Sequence, residues 1–454
     1  MVDFKGKKIL IAGVGKSGTA AFEALFHSGA LPSVYDDKDI EWEIPKLFAK
    51  LSALDTPMYF NGKPVPDEAW DFVISSPGVP LDLPFMRAAA RRGAEIIGEL
   101  ELSYLLGRGL YAAITGTNGK TTTTALTGEI FKNAGRDTVV AGNIGIPVLP
   151  KALKAADDTW LITEVSSFQL ETTRDFHPKI SAFLNLTPDH MDRHKTMERY
   201  GAAKARIFAN QGAEDYFIYN ADDESVSKLA AGSRAKNIPF SRKHELQTGV
   251  FTRGGRIIAA AGGQGEIDLL GEDELTIPGK HNLENALAAA AIACAAGIKP
   301  NVIGDSIRHF RGVEHRLELA ATIGGVRFVN DSKGTNPEAA VKALEAVGEG
   351  IILIAGGYDK KADFGAFAAA ARGKVRTMLL LGETAEKIRA AAALAGIADI
   401  QVVHDLGEAV RLGFELAEPG DTVLLSPACA SWDMYTDFEE RGKHFKQKVE
   451  ELRK

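Results

Sequence analysis

The sequence predicts an α/β protein of three domains, and three observations carry that prediction. Its 454 residues exceed what a single core organises, at roughly 150 residues per domain. Short apolar runs alternate with helical stretches along the chain, the pattern of parallel strands joined by helical crossovers. Polar and glycine-rich loops follow those runs, where ligands sit in open α/β sheets. The expected domains span 1–109, 110–313 and 314–454.

In the first domain, 8–12, 33–35 and 72–74 read as strands, each punctuated by Gly, Pro or Asp. The second opens with the strand 111–115 and continues through 159–165, 180–186 and 217–219. Residues 249–277 alternate and are rich in glycine, which predicts antiparallel hairpins forming a small added β-sheet. An Ala-rich helix, 283–296, follows. In the third domain the runs 326–329, 351–355, 378–381 and 422–425 read as strands pointing one way.

Composition narrows the function. Apolar residues at 45% and charged residues at 25% exclude a disordered, collagen-like or coiled-coil chain. The net charge of −7 argues against nucleic-acid and anionic-membrane partners, so phosphorylated ligands must find cations locally. With only Cys294 and Cys429, neither a disulfide framework nor a cysteine zinc site is expected, and a reducing compartment follows. The apolar run Ile9-Leu10-Ile11-Ala12 meets Gly13 at once, too short for a secretory signal, and no stretch reaches the ~20 apolar residues of a membrane span. A cytoplasmic protein is expected.

Two glycine loops follow strands. Gly13-Val14-Gly15-Lys16-Ser17-Gly18 leads into a helix over 19–26, with Asp36 after the next strand, and fits a Rossmann-like dinucleotide fingerprint. NAD, FAD or another nucleotide diphosphate satisfies it, and a tight structural turn is the bland alternative. Thr115-Gly116-Thr117-Asn118-Gly119-Lys120-Thr121 is a phosphate cradle of the P-loop ATPase kind, with Ile114 where the common loop has its first glycine. Its backbone amides would surround phosphate oxygens, Lys120 would neutralise them, and the Thr121 hydroxyl would ligate Mg²⁺.

Candidate chemistry follows the later strands. Glu164 ends an apolar run, placing a carboxylate for Mg²⁺. The loop Asn185-Leu186-Thr187-Pro188-Asp189-His190-Met191-Asp192-Arg193-His194 gathers hard-metal ligands. Its two histidines invite zinc, but Met191 stands where the zinc helix motif needs Glu. Lys204 sits among small residues and by itself reads as a surface lysine. Asn285 falls early in the Ala-rich helix, where capping by Asn282 is the simple reading. Asn330-Asp331-Ser332-Lys333-Gly334-Thr335-Asn336-Pro337 ends a strand and opens a helix with Pro337 at its first position, which leaves Asp331, Lys333 and Thr335 unexplained.

Taken in order, Gly116 to Thr122, Gly142-Asn143-Ile144-Gly145, Glu164 to Leu170, Asp189 to Asp192, His281-Asn282 through Asn285, His315-Arg316 and Asn330 to Asn336 resemble the ATP-dependent Mur ligases of peptidoglycan synthesis. Asp331-Ser332-Lys333 and the run Leu425 to Ser431 are most similar to the branch that adds D-glutamate. The diaminopimelate-adding branch would show Asp-Asn-Pro-Arg in this region. Folylpolyglutamate synthetases share the phosphate loop but begin near it.

The resemblance implies a UDP-binding Rossmann-like domain, a central ATP-binding domain and a C-terminal Rossmann-like domain for the amino acid. Gly15, Lys16, Ser17, Asp36, Asp37, Ser76, Gly78 and Asn143 would contact the UDP acceptor, UDP-N-acetylmuramoyl-L-alanine. ATP would meet Gly116, Thr117, Asn118, Gly119, Lys120, Thr121, Thr122, Asn285, Arg316 and Asp331. Two Mg²⁺ ions would be held by Thr121, Glu164, His190 and Lys204, the last as its carbamate, and Lys120, His190 and Lys204 would be catalytic. Lys333, Thr335, Lys360, Ser431 and Phe438 would receive D-glutamate. One departure is visible: the family's acid before that lysine is here the adjacent Asp359. The implied reaction makes an acyl phosphate that the amine of D-glutamate attacks, with the third domain closing over the nucleotide and the chain acting as a monomer. The competing readings are a related Mur or folate ligase, a dehydrogenase using the first loop, and a nucleotide switch.

Overall fold

A computed structural model describes residues 2–143, 146–260, 265–277, 279–359 and 362–453. The chain forms two compact units, Met1–Phe310 and Arg311–Lys454.

The first unit contains two sheets. In the N-terminal one, β1 (Lys8–Ala12), β2 (Leu31–Tyr35), β3 (Met58–Tyr59), β4 (Phe72–Ser75) and β5 (Glu95–Gly98) are all parallel, in the order β3-β2-β1-β4-β5. The continuous apolar run of β1 has a direct cause. Ile9 and Ile11 face Phe22 and Leu25, whereas Leu10 and Ala12 face Trp70 and Met86, so both faces of the central strand are buried.

The second sheet has nine strands: β6 (Leu110–Thr115), β7 (Thr138–Gly142), β8 (Trp160–Glu164), β9 (Ile180–Phe183), β10 (Tyr216–Asn220), β11 (Lys236–Ser241), β12 (Gly249–Arg253), β13 (Arg256–Ala260) and β14 (Ile267–Gly271). Their order is β14-β13-β12-β11-β10-β9-β6-β8-β7. The expected hairpins are present, since β12, β13 and β14 pair antiparallel. They do not form a small sheet of their own. Phe240 and Ser241 of β11 pair with Val250 and Phe251, so the hairpins satisfy the polar edge of the parallel sheet and extend it. The Ala-rich helix, Lys280–Ala295, buries Ala286 through Ala291 completely and lies against the helix Lys120–Asn133 that leaves the phosphate loop. It begins at Lys280 after Gly279, so Asn282 lies within the helix and does not cap it.

The second unit holds β15 (Glu318–Ile323), β16 (Val326–Asn330), β17 (Ile351–Gly356), β18 (Val375–Leu381), β19 (Ile400–Val402) and β20 (Thr422–Leu425), in the order β15-β16-β20-β17-β18-β19. All neighbours are parallel except β15 with β16. The helix Pro337–Val347 starts as expected, with Pro337 first and the Asn336 side chain accepting from the Ala339 amide at 2.8 Å. Among the described residues, no helix is long and apolar enough to cross a membrane.

Two buried carboxylates tie the two sheets of the first unit together. Both lie on the helix Glu99–Leu106, directly after β5. Glu101 is fully buried and accepts from the amides of Arg174 (2.9 Å), Asp175 (2.8 Å) and Phe176 (3.0 Å). Glu99 accepts from the Leu149 amide at 2.6 Å, and burial pushes its carboxyl up to about 7. Replacing Glu101 by Ala strands the buried Phe176 amide and takes the acceptor from two amides at exposed residues, which predicts a loss of about 1–3 kcal/mol, read as a lower urea midpoint. For Glu99 the folded chain keeps a proton that the unfolded chain releases between pH 4.5 and about 7. Raising pH through that window therefore favours unfolding, and Glu99→Gln is expected to flatten the decline.

Candidate active site

The central site is assembled at the ends of β6, β8 and β9. At Gly119 the backbone has φ +83°, and a Cβ there would stand 2.2 Å from the Asn285 Oδ1. Only glycine lets the loop turn into its helix while Asn285 packs this closely. Asn285 also accepts from the Thr123 hydroxyl at 3.2 Å and donates to the Asn282 side chain at 3.2 Å, so it braces the first turn of the phosphate-loop helix. The other side of the loop is held by Asn185, whose Oδ1 accepts from the Asn118 amide at 2.8 Å and whose Nδ2 donates to the Asn118 carbonyl at 3.1 Å.

Two lysines converge on one carbonyl. Lys120 Nζ donates to the carbonyls of Gly116 and Thr117, each at 2.8 Å, and Lys204 Nζ donates to the same Gly116 oxygen at 2.8 Å. Lys204 is 1% exposed, so the solvated surface reading of this residue does not hold. Burial, reinforced by the positive charge of Lys120, pulls its amine down to about 6. Lys204 therefore stands largely as a neutral amine at pH 7.

Glu164, at the end of β8, is 3% exposed and accepts from Asn143 Nδ2 at 2.9 Å through one oxygen. Its other oxygen, Oε2, is buried and has no hydrogen-bond partner among the described residues. An unsatisfied buried carboxylate oxygen is costly, and a hard cation is one group that would satisfy it. Thr121 is buried on the first turn of the helix, and His190 sits at φ +53° with its side chain half exposed. The rings of both histidines pack on Phe168, but they differ in burial, for His194 is buried, 2.9 Å from the Ser167 hydroxyl through Nε2.

In the N-terminal glycine loop, a Cβ on Gly18 would meet the Gly13 carbonyl oxygen at 1.8 Å, which forces glycine there. Asp36 accepts from the Val14 amide at 2.8 Å and the Lys38 amide at 3.1 Å, bracing the loop from behind. Ser76 donates to the Gly13 carbonyl at 2.8 Å, so the Ser76-Pro77-Gly78 segment lies beside the loop. Gly15, Lys16, Asp37 and Gly78 are exposed, and Ser17 is half-buried.

The C-terminal unit gathers its own set. Asp331 is buried, accepts from the Ser426 hydroxyl at 2.8 Å, and is pushed up to about 7 by burial. Arg316 is exposed. Arg441, missed in the sequence reading, is 2% exposed and donates to the carbonyls of Ser332 (2.9 Å), Cys429 (3.1 Å) and Ala430 (3.3 Å). It thereby joins the Lys333 loop to the segment that carries Ser431. The Ser332 hydroxyl donates to the Phe438 carbonyl at 2.8 Å, and Lys333 Nζ lies 5.8 Å from the Phe438 ring centre. Thr335 is half-buried on the same loop, its amide donating to the Lys333 carbonyl at 2.9 Å. Lys360, Ile144 and Gly145 lie outside the described residues.

Tyr200 is the other residue missed. It stands one turn before Lys204, with its ring 4.8 Å from Lys204 Nζ and its hydroxyl 3.3 Å from Thr117 Oγ1. The four-residue spacing on one helix face was the available signal.

Parallel sheets carrying a phosphate loop, a buried lysine and an unsatisfied carboxylate define a nucleotide-dependent enzyme class, and comparison specifies it. Residues 7–98, 114–293 and 315–429 match, respectively, the MurD-like N-terminal domain, the middle domain and the glutamate ligase domain of Mur ligases. The chain belongs to the Mur ligase family. It is 49% identical to a protein of Alkaliphilus oremlandii named UDP-N-acetylmuramoylalanine--D-glutamate ligase, with 100% of each chain covered. Proteins of the same name from Pelotomaculum thermopropionicum (49% identical, 100% and 99% covered) and Clostridioides difficile (46%, 100% of each) are similar over their full length. Among solved structures, the UDP-N-acetylmuramate-alanine ligase MurC of Thermotoga maritima shares the fold, with a TM-score of 0.57 at 22% identity, covering 98% of this chain and 100% of that one. The MurF ligase of Thermotoga maritima in complex with ADP has a TM-score of 0.53 at 16% identity, covering 81% and 92%.

The tightest steric constraint in the site makes a direct prediction. Gly119→Ala is expected to displace Asn285 and lower ATP turnover at least tenfold, checked by phosphate release, with little change in secondary structure by circular dichroism.

Proposed function

We propose that this chain joins D-glutamate to the terminal L-alanine carboxylate of UDP-N-acetylmuramoyl-L-alanine, consuming ATP and releasing ADP and phosphate. The observation that carries the chemistry is the pair of lysines on the Gly116 carbonyl beside the unsatisfied Glu164 oxygen, an arrangement suited to a polyphosphate and a hard cation. The substrates are those in the name of the full-length relatives. A reaction of this kind belongs to peptidoglycan precursor synthesis, hence to cell-wall formation, cell shape and division, and its soluble substrates suit a monomer in the cytoplasm.

A carboxylate resists attack by an amine, so its oxygen must first take the γ-phosphoryl group of ATP. In our reading Gly116, Thr117, Asn118, Gly119, Lys120, Thr121 and Thr122 cradle the phosphates, and Lys120 offsets charge on the transferring group. Asn285, and Arg316 and Asp331 of the C-terminal unit, serve the rest of the nucleotide. Thr121, Glu164, His190 and Lys204 would hold two Mg²⁺ ions, which supply charge neutralisation on phosphoryl oxygens when bound. The neutral amine of Lys204 supports its conversion to a carbamate: nitrogen bonds to the carbon of CO₂, a proton leaves to solvent, and a would-be cation becomes an anionic ligand.

Gly15, Lys16, Ser17, Asp36, Asp37, Ser76, Gly78 and Asn143 are assigned to the UDP acceptor. Asp36 acts by shaping the loop through the Val14 amide, and Asn143 shares its side chain with Glu164. Lys333, Thr335, Lys360, Ser431 and Phe438 are assigned to D-glutamate, whose amine attacks the acyl carbon and expels phosphate. The three domains are assigned to 1–109, 110–313 and 314–454.

A phosphate-release assay across acceptors and amino acids tests this reading. Turnover is expected only with UDP-N-acetylmuramoyl-L-alanine and D-glutamate together, and Lys120→Ala should reduce it by at least a hundredfold. Equal turnover with another amino acid, or near wild-type activity of the variant, would overturn it.

A further inference from the structure

The loop after β9 makes a contact that the reaction as described does not use. Arg193 Nη1 donates to the Pro77 carbonyl at 3.2 Å, across to the N-terminal sheet's Ser76-Pro77-Gly78 segment. Its Nε and Nη2 donate to Glu171 Oε2 at 3.2 and 2.9 Å, and its guanidinium carbon lies 4.4 Å from the Phe168 ring centre. The guanidinium is thus aimed by a carboxylate and an aromatic face, with both charged side chains about four-fifths buried.

The same carboxylate reaches the phosphate loop. Glu171 Oε1 lies 3.3 Å from His194 Nδ1, and the His194 ring packs 4.9 Å from the Tyr200 ring. The Tyr200 hydroxyl in turn meets Thr117 Oγ1 in the phosphate loop. A continuous line of packed and hydrogen-bonded groups therefore runs from Pro77 through Arg193, Glu171, His194 and Tyr200 to Thr117. Such a line resists relative displacement of its two ends.

We propose that Arg193, aimed by Glu171 and Phe168, is a positioning residue that fixes the Ser76-Pro77-Gly78 segment against the phosphate loop. An acceptor carboxylate held from the first is thereby kept in register with the γ-phosphate held on the second. The proposal rests on the assignment of that segment to the acceptor. Its reason is geometric, because in-line phosphoryl transfer loses rate steeply with misplacement of the attacking oxygen. A planar guanidinium meets the carboxylate, the ring and the carbonyl together, which a lysine ammonium cannot do.

The test is steady-state kinetics of the full chain carrying Arg193→Lys or Glu171→Gln, with hydrogen exchange of the Val79 amide, which donates to the Ser76 carbonyl. In both variants the acceptor KM should rise about tenfold and kcat fall about threefold or more, with the ATP KM within about twofold of wild type. Val79 should exchange faster, and the double variant should be no worse than Arg193→Lys. An unchanged acceptor KM, or equal rises for ATP and acceptor, would overturn the inference. Absence of acceptor-dependent turnover in the wild-type chain would instead sink the functional reading, and Val79 exchange would then decide the linkage alone.

Discussion

Two lysine side chains converge on one backbone oxygen, and the rest of the central site answers to that constraint. Lys120 and Lys204 both donate to Gly116, one from the loop itself and one from a helix that begins more than seventy residues later. Like charges so close inside a protein are unfavourable, and burial makes water unable to screen them. The pair persists because Lys204 gives up its proton more readily than a free lysine does, while Lys120 keeps a hydrogen-bonded perch over the phosphate cradle. A site built this way suits an anionic ligand, and a polyphosphate is one.

The architecture supplies the rigidity this arrangement needs. β6 lies between β9 and β8, so the phosphate loop leaves the interior of a nine-stranded sheet, with Glu164 on one neighbouring strand and the histidine loop beyond the other. Glu101 and Glu99 then bind the N-terminal sheet's last helix to loops of the central sheet through backbone amides, two of them buried. These are polar joints, specific in geometry and expensive to leave unsatisfied. The C-terminal unit solves a similar problem with a cation: Arg441 gathers three carbonyls from two separate loops, and burial lowers it to about 10.

The reading of the molecular charge changes with this geometry. A chain of net charge −7 that handles several anionic substrates must hold its positive charge in particular places. Lys120 and Lys333 are such places, each tethered by named partners and not spread over a basic face. Arg193 adds a cation whose charge is already committed to Glu171, which suits it to hold a loop and not a substrate.

Much of the fold was legible in the sequence because a strand buried on both faces must be apolar throughout. β1, β6, β8, β17 and β20 announce themselves in that way. The strands that escaped, β3, β5, β7, β15 and β19, all lie at sheet edges, where one side lacks a neighbour and the apolar run is short or interrupted. β11, the exception, carries Pro239. In the site, the sequence by itself determined the phosphate loop, Glu164 and the histidine loop, because backbone cradles and strand-end ligands need fixed residue types at fixed local spacing. Only the tertiary structure decided that Lys204 is buried against Gly116, that His194 is buried while His190 stays half exposed, that Asp36 braces its loop, and that Arg193 reaches Pro77. Each of these depends on which distant segments become neighbours, and burial, the quantity that sets charge and hydrogen bonding, belongs to the folded chain and not to any stretch of it.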